Sequence, residues 1–98
     1  MVTDLATVKR VLKDQLPALQ RKYSVGKIGV FGSVVRGDNT TISDVDILVN
    51  LTEPVGLFKF IGLENHLADI LGKKVDLTTP QALKPVIKNQ ILSEVVYV

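Results

Sequence analysis

The sequence predicts an α/β fold: a small mixed β-sheet of three to four strands flanked by helices. Two observations predict it. Apolar residues recur at helical spacing in some stretches and form short β-branched or aliphatic runs in others. The two patterns alternate along the chain, and such alternation layers helices on a sheet. At 98 residues, the chain is expected to be a single domain over 1–98, with no room for a second core. Pattern alone does not set strand order or direction.

A helix is predicted over 3–23, where Leu5, Val8, Leu12 and Leu19 recur on one side and Lys9, Lys13 and Gln20 fall on the others. Thr3 is its expected N-cap. Pro17 either kinks this helix or starts a second short one at its first position. Residues 24–26 read as a turn and 27–31 as a short strand. Gly32 and Ser33 end that strand, Val34 to Gly37 suit one helical turn, and 38–42 is a polar loop of turn-forming composition. Residues 45–51 form the clearest strand. Pro54 and Gly56 precede a helix of about four turns, with Phe60, Leu63, Leu67 and Leu71 on one face and Gly72 placed to stop it. Residues 74–78 read as a third strand. Thr79-Pro80 reads as an N-cap followed by a helical proline, with Pro85 restarting a helix that runs to about Glu94. Residues 95–98 supply a final short strand.

Bulk properties exclude several classes. The chain is 46% hydrophobic, with mean hydropathy +0.27, and belongs to a folding protein rather than a disordered tail. Only 5% of residues are aromatic, so Val, Ile and Leu must build the core. With no cysteine there is no disulfide framework, thiolate metal site or cysteine nucleophile. The net charge of +2 is spread over scattered basic residues, which argues against a nucleic-acid tail or polybasic anchor. Apolar stretches are broken well short of the ~20 residues a membrane span needs. Asp4 comes early, and there is no apolar run or cleavage site of a signal peptide. A soluble cytoplasmic protein is the expectation.

The chemistry gathers in three places. Asp44 and Asp46 lie two residues apart at the start of the clearest strand, so both point to one face while Val45, Ile47 and Val49 point to the other. Two carboxylates side by side on a hydrophobic strand repel, and neither is easily buried. A divalent cation removes that repulsion. Oxygen-only ligands with no His or Cys nearby favour a hard ion, Mg²⁺ or Mn²⁺. The third strand repeats the pattern, with Asp76 and Thr78 on one face and Val75 and Leu77 on the other. If it lies beside the first acidic strand, Asp76 completes a triad able to hold two metal ions about 4 Å apart, and is the group to take a proton from an acceptor hydroxyl or to be shared between the metals. Gly32, lacking a Cβ, lets the backbone approach a ligand. Ser33 opens a helical turn whose free N–H groups and hydroxyl can bind phosphate. Arg36, one turn on, is placed to pair with phosphate or with an Asp of the triad. Taken singly these are common surface features; their order and placement together point to a site.

Gly32-Ser33-Val34-Val35-Arg36-Gly37, followed by Ser43-Asp44-Val45-Asp46-Ile47-Leu48-Val49, resembles the motif of the minimal nucleotidyltransferases, within the DNA polymerase beta-like nucleotidyltransferase superfamily. The resemblance extends to Lys74-Val75-Asp76-Leu77 and to the closing 91–98 segment, and so covers almost the whole chain. It implies a small mixed sheet with flanking helices and Mg²⁺-dependent transfer of a nucleoside monophosphate from an NTP, here ATP. It implies Gly32 and Ser33 at the phosphates, with Asp44, Asp46 and Asp76 as catalytic and metal-binding residues; Arg36 and Ser43, within the same motif segments, are expected beside the nucleotide. Small stand-alone members are often antitoxins paired with a HEPN-domain ribonuclease toxin, and some add AMP to a toxin tyrosine. The expected partner is therefore a HEPN toxin in a hetero-oligomer; nucleic acid is not expected as a direct ligand, nor a membrane. Two alternatives stand beside this: an antitoxin that neutralises its toxin by complex formation alone, and a nucleotidyltransferase acting on RNA or a small molecule.

Other residues read as structural. His66 is expected at the surface or facing a partner, and Tyr23 and Tyr97 are expected to pack at element ends. Lys73 and Lys74 follow a helix C-terminus, where positive charge is favourable. Phe58 and Phe60 differ by two on a helix, so one of them leaves the core and marks a candidate partner surface.

Overall fold

A computed structural model describes residues 4–98. The chain runs α1 (Leu5–Tyr23), β1 (Val25–Phe31), α2 (Ser33–Arg36), β2 (Val45–Leu51), α3 (Leu57–Leu71), β3 (Val75–Thr78), a 3₁₀ turn (Pro80–Ala82), α4 (Pro85–Glu94) and β4 (Val96–Tyr97). The four strands form one mixed sheet in the order β3-β2-β1-β4. β1 runs antiparallel to both β2 and β4, and β2 runs parallel to β3. The expected class is therefore the observed one, with four strands.

The expected N-cap Thr3 lies outside the described residues. Asp4 caps α1, its Oδ1 accepting from the Thr7 N–H at 2.7 Å. Pro17 lies inside one helix rather than starting a second. A helical proline costs about 3 kcal/mol. Leu12 and Leu19, both fully buried on either side of it, contribute roughly 3–6 kcal/mol together and offset that cost. α1 ends at Ser24, which adopts a left-handed φ of 59°. β1 begins at Val25, earlier than the run 27–31 suggested, because its first residues pair with the end of β2 across a bulge between Val25 and Lys27.

The core lies on one sheet face. Val45, Ile47 and Val49 of β2 and Val75 and Leu77 of β3 pack there with Val8, Leu12 and Leu19 of α1 and Leu63 and Leu67 of α3. Phe60 is half-buried against this cluster while Phe58 is 90% exposed, which settles which of the two leaves the core. His66 is half-buried rather than at the surface. Its ring stacks at a tilt against buried Tyr23, centroids 5.8 Å apart, so it helps to seal α1 against α3.

The segment after β3 departs from the expectation of a helix opened at Thr79-Pro80. It makes a single 3₁₀ turn, and Thr79 gives no side-chain cap bond. Lys84 is extended (φ −63°, ψ 137°), the conformation imposed on the residue before a proline, so α4 starts afresh at Pro85. No helix among the described residues is long and apolar enough to cross a membrane.

Candidate active site

Strand pairing assembles the acidic face. Asp46 of β2 is the register partner of Asp76 of β3, so their side chains leave the same face from backbones roughly 5 Å apart. Asp44 lies two residues before Asp46 and shares that face. On the other side of β2, Phe31 ends β1 opposite Asp46, which sets the following Gly32–Ser33 turn beside the carboxylates. Gly32 adopts φ 77° and ψ −149°. A Cβ there would overlap Asp46 Oδ2 and stand 3.0 Å from its Cγ. Gly32, Ser33, Asp44, Asp46 and Asp76 are thus brought to one place, including the β2–β3 adjacency on which Asp76 depends.

The electrostatics follow. Asp46 is half-buried, whereas Asp76 is exposed at the sheet's edge strand. Burial, then the charges of Asp76 and Asp44, push the Asp46 carboxyl up to about 6; Arg36 opposes the rise and Glu94 adds to it. The rise reflects a half-buried carboxylate with two others nearby. The donor set is all oxygen, which suits a hard divalent ion. No three His, Cys or carboxylate groups among the described residues are gathered closely enough to form a ready cage. The fit therefore rests on donor chemistry and strand register, with exposed Asp76 the carboxylate freest to close on an ion.

The turn is held from a distant part of the chain. Glu94, in the last turn of α4, accepts from the Gly32 N–H at 2.9 Å and from Arg36 Nη1 at 2.8 Å. Arg36 also meets Asp38 at 3.3 Å. Arg36 is thus tied to Glu94 and Asp38, not to an aspartate of the triad. The reason is the single-turn length of α2, which ends Arg36 against the carboxylate of α4. The loop before Asp44 is tethered likewise. Lys73 Nζ donates to the Thr41 carbonyl at 2.9 Å, and Ser43 Oγ accepts from the Thr40 N–H at 2.9 Å. Ser43 therefore has its hydroxyl engaged within the loop.

Glu94 and Lys73 carry no site role in the sequence reading. One signal was available for Glu94: an acid in the last helical turn opposes the helix dipole, and such a charge calls for a cationic or N–H partner. Glu94→Ala is expected to cost about 1–3 kcal/mol by orphaning the Gly32 N–H and the guanidinium. That lowers the thermal midpoint by about 4–8 °C per kcal/mol. Glu94→Gln, which can still accept from Gly32, should recover part of the loss. A melt of Glu94→Ala that overlays wild type would show that the buttress contributes nothing.

With this geometry in place, the comparisons with known proteins are specific. Residues 12–98 match the nucleotidyltransferase domain family. The chain is 45% identical over 94 residues to the protein adenylyltransferase MntA of Thermococcus cleftensis, an alignment covering 96% of this chain and 95% of the relative. A solved structure assigned as a minimal nucleotidyltransferase superposes with a TM-score of 0.79 at 32% identity, over 96% of this chain and 95% of that one. A complex of a tri-AMPylated HEPN toxin of Shewanella oneidensis with an MNT antitoxin shares the fold, with a TM-score of 0.64 at 21% identity over 91% and 70% of the two chains. On that match and on these relatives, the chain belongs to the nucleotidyltransferase domain family.

Proposed function

We propose that this chain transfers AMP from ATP to a hydroxyl of a partner protein, and that the partner is a HEPN-domain ribonuclease toxin that the modification silences. The observation that carries the reading is the parallel pairing of Asp46 with Asp76 beside the Gly32–Ser33 turn. Its support outside the chain is the naming of a 45%-identical relative as a protein adenylyltransferase, and the occurrence of the same fold in a complex with an AMP-modified HEPN toxin.

In this reading Asp44, Asp46 and Asp76 would hold Mg²⁺, as two ions, with Mn²⁺ able to substitute. When bound, the metal supplies neutralisation of phosphate charge and polarises the reacting oxygens. Gly32 and Ser33 hold the β- and γ-phosphates at the start of α2. Arg36, tied to Glu94, steadies that turn. Asp76 takes the proton of the acceptor hydroxyl, a tyrosine by the family's habit. The hydroxyl oxygen bonds to the α-phosphorus as the bond from that phosphorus to the α–β bridging oxygen breaks, and pyrophosphate leaves.

The test is transfer of label from α-labelled ATP to a HEPN-domain protein that co-purifies with this chain, with Mg²⁺ present. Wild type is expected to label it, and an Asp44→Ala/Asp46→Ala double variant is not. A second reading, neutralisation by binding alone, is favoured by the exposed Leu57 and Phe58 on α3, which suit a protein contact. No labelling by wild type, with full growth rescue by the double variant, would establish that second reading in place of the first.

A further inference from the structure

β4 ends the sheet on one side and leaves an edge open there. The Val98 N–H donates to the Ile28 carbonyl at 3.0 Å, and Val96 pairs with Val30 in the same antiparallel ladder. Hydrogen-bonded and non-bonded pairs alternate in such a ladder. Tyr97, between them and opposite Gly29, therefore turns its own N–H and C=O away from β1, to the open side. Neither group takes a backbone partner among the described residues.

Cations stand on both sides of this edge. On the core face, where α1 lies, Lys9, Arg10 and Lys13 line a cleft of about 350 Å³ with Tyr97 and Val98, and no acidic side chain lines it. Lys27 neighbours core-facing Ile28 and so leaves the other face, where its Nζ stands 4.8 Å from the centre of the Tyr97 ring. Three of these charges are unanswered. Arg10 feels Asp4, but Lys9, Lys13 and Lys27 make no ion pair among the described residues. On α1 the positions one turn either side of Lys9 and Lys13 hold no acid. The two lysines are themselves one turn apart, a like-charge spacing that weakens a helix. The fold gains nothing from that repulsion.

We propose that the β4 edge docks an extended, acidic segment of a partner protein, whose backbone pairs with Tyr97 and whose carboxylates meet Lys9, Lys13 and Lys27. The inference is independent of the transfer chemistry; it concerns where on the chain a protein is held. An open strand edge offers a donor and an acceptor together, the complement of a peptide backbone, whereas a phosphate backbone presents acceptors. Successive side chains of an added strand leave opposite faces, so neighbouring acids reach the α1 lysines and Lys27 at once. Charge complementarity selects an acidic segment. A second copy of this chain does not fit, because pairing edge to edge brings two sets of the same cations together; lysines beside an open edge guard against such self-pairing.

The test is fluorescence anisotropy of a short labelled peptide, rich in Glu with a central Val, titrated with the full chain at low salt. Saturable binding is expected, weakening as salt rises. Lys9→Glu/Lys13→Glu should weaken it at least about tenfold, and the same peptide with Lys in place of Glu should not bind. Two readouts separate strand pairing from charge alone, and both use wild type, so they do not depend on how the variant folds. Methylating the peptide's backbone nitrogens, which keeps its charge, should weaken binding at least about tenfold. Exchange of the Tyr97 amide hydrogen should slow at least about tenfold in the complex. No saturable binding of the acidic peptide would overturn the proposal, as would equal binding of the methylated one or an unchanged Tyr97 amide. Tighter binding of a single-stranded RNA, lost in the double variant, would make this surface a nucleic-acid contact instead.

Discussion

Asp46→Asn should abolish AMP transfer, by about a thousandfold or more, while making the metal-free protein more stable at pH 7.5. The two effects have one origin. Asp46 is pushed up to about 6 from 3.8 by burial and by the charges of Asp76 and Asp44, so the folded state holds the Asp46 proton more tightly than the unfolded state does. The stability this proton contributes is complete below about 4 and is lost as pH rises through about 6. Above that, folding carries an ionised carboxylate in a poor setting. The shift corresponds to roughly 3 kcal/mol at most, and to about 1–2 kcal/mol once the solvent reaching a half-buried group is allowed for. The amide variant never pays that penalty, so its metal-free melting point should rise by roughly 5–10 °C, and its stability should lose the dependence on pH between 4 and 7. Wild type should gain stability from added Mg²⁺ or Mn²⁺ and the variant should not. Under the proposed function, the catalytic loss follows because the variant would lack a metal ligand whose charge stabilisation is worth several kcal/mol. A variant that melts at or below wild type in chelator, or that keeps near-normal transfer, would refute this account of Asp46.

That opposition between stability and activity also explains which parts of the site were legible in the sequence. Asp44 and Asp46 break the apolar run of β2 at a spacing that geometry converts directly into a shared face, so they could be found without the fold. Asp76 needed one fact that periodicity does not contain, the β2–β3 pairing. The register Asp46–Asp76 supplies it. Glu94 could be flagged as an acid in want of a partner, but which partner was out of reach for a different reason. It acts on Gly32 from 62 residues away, and contacts so distant in sequence leave no mark on local patterning. The same holds for Lys73, whose reach to the 40–41 carbonyls fixes the loop entering the site, and for His66, half-buried against Tyr23 of a helix it does not neighbour in sequence. The helices were read well where a wide apolar stripe defines them, and poorly after Thr78. There Pro80 and Pro85 each set local geometry, and no apolar face repeats long enough to choose between one helix and a turn followed by a helix.

Gly32→Ala should be the most damaging single-methyl change in the protein, and Gly37→Ala its control. Both glycines have φ 77°, but they differ in ψ and in surroundings. Gly37 sits in the ordinary left-handed region (ψ 14°) with open space where a Cβ would go, so alanine there costs about 1–2 kcal/mol and leaves the acidic face untouched. Gly32, at ψ −149°, occupies a region that is essentially glycine-only and costs about 1–3 kcal/mol for any other residue. Its Cβ would in addition overlap Asp46 Oδ2. Asp46 would have to swing its carboxyl away from the turn, or the turn would have to shift and loosen the Gly32 N–H bond to Glu94. The combined cost is expected at about 2–4 kcal/mol, a fall in melting point of roughly 10 °C or more, with transfer lost even well below the new melting point because the Asp46 carboxylate and the Gly32–Ser33 turn are driven apart. Gly37→Ala should melt roughly 5–10 °C lower and keep near-normal transfer. Equal losses of activity in the two variants would mean that backbone strain alone matters. A large, temperature-independent loss confined to Gly32→Ala would mean that the missing Cβ is what allows the turn and the Asp46 carboxylate to share one site.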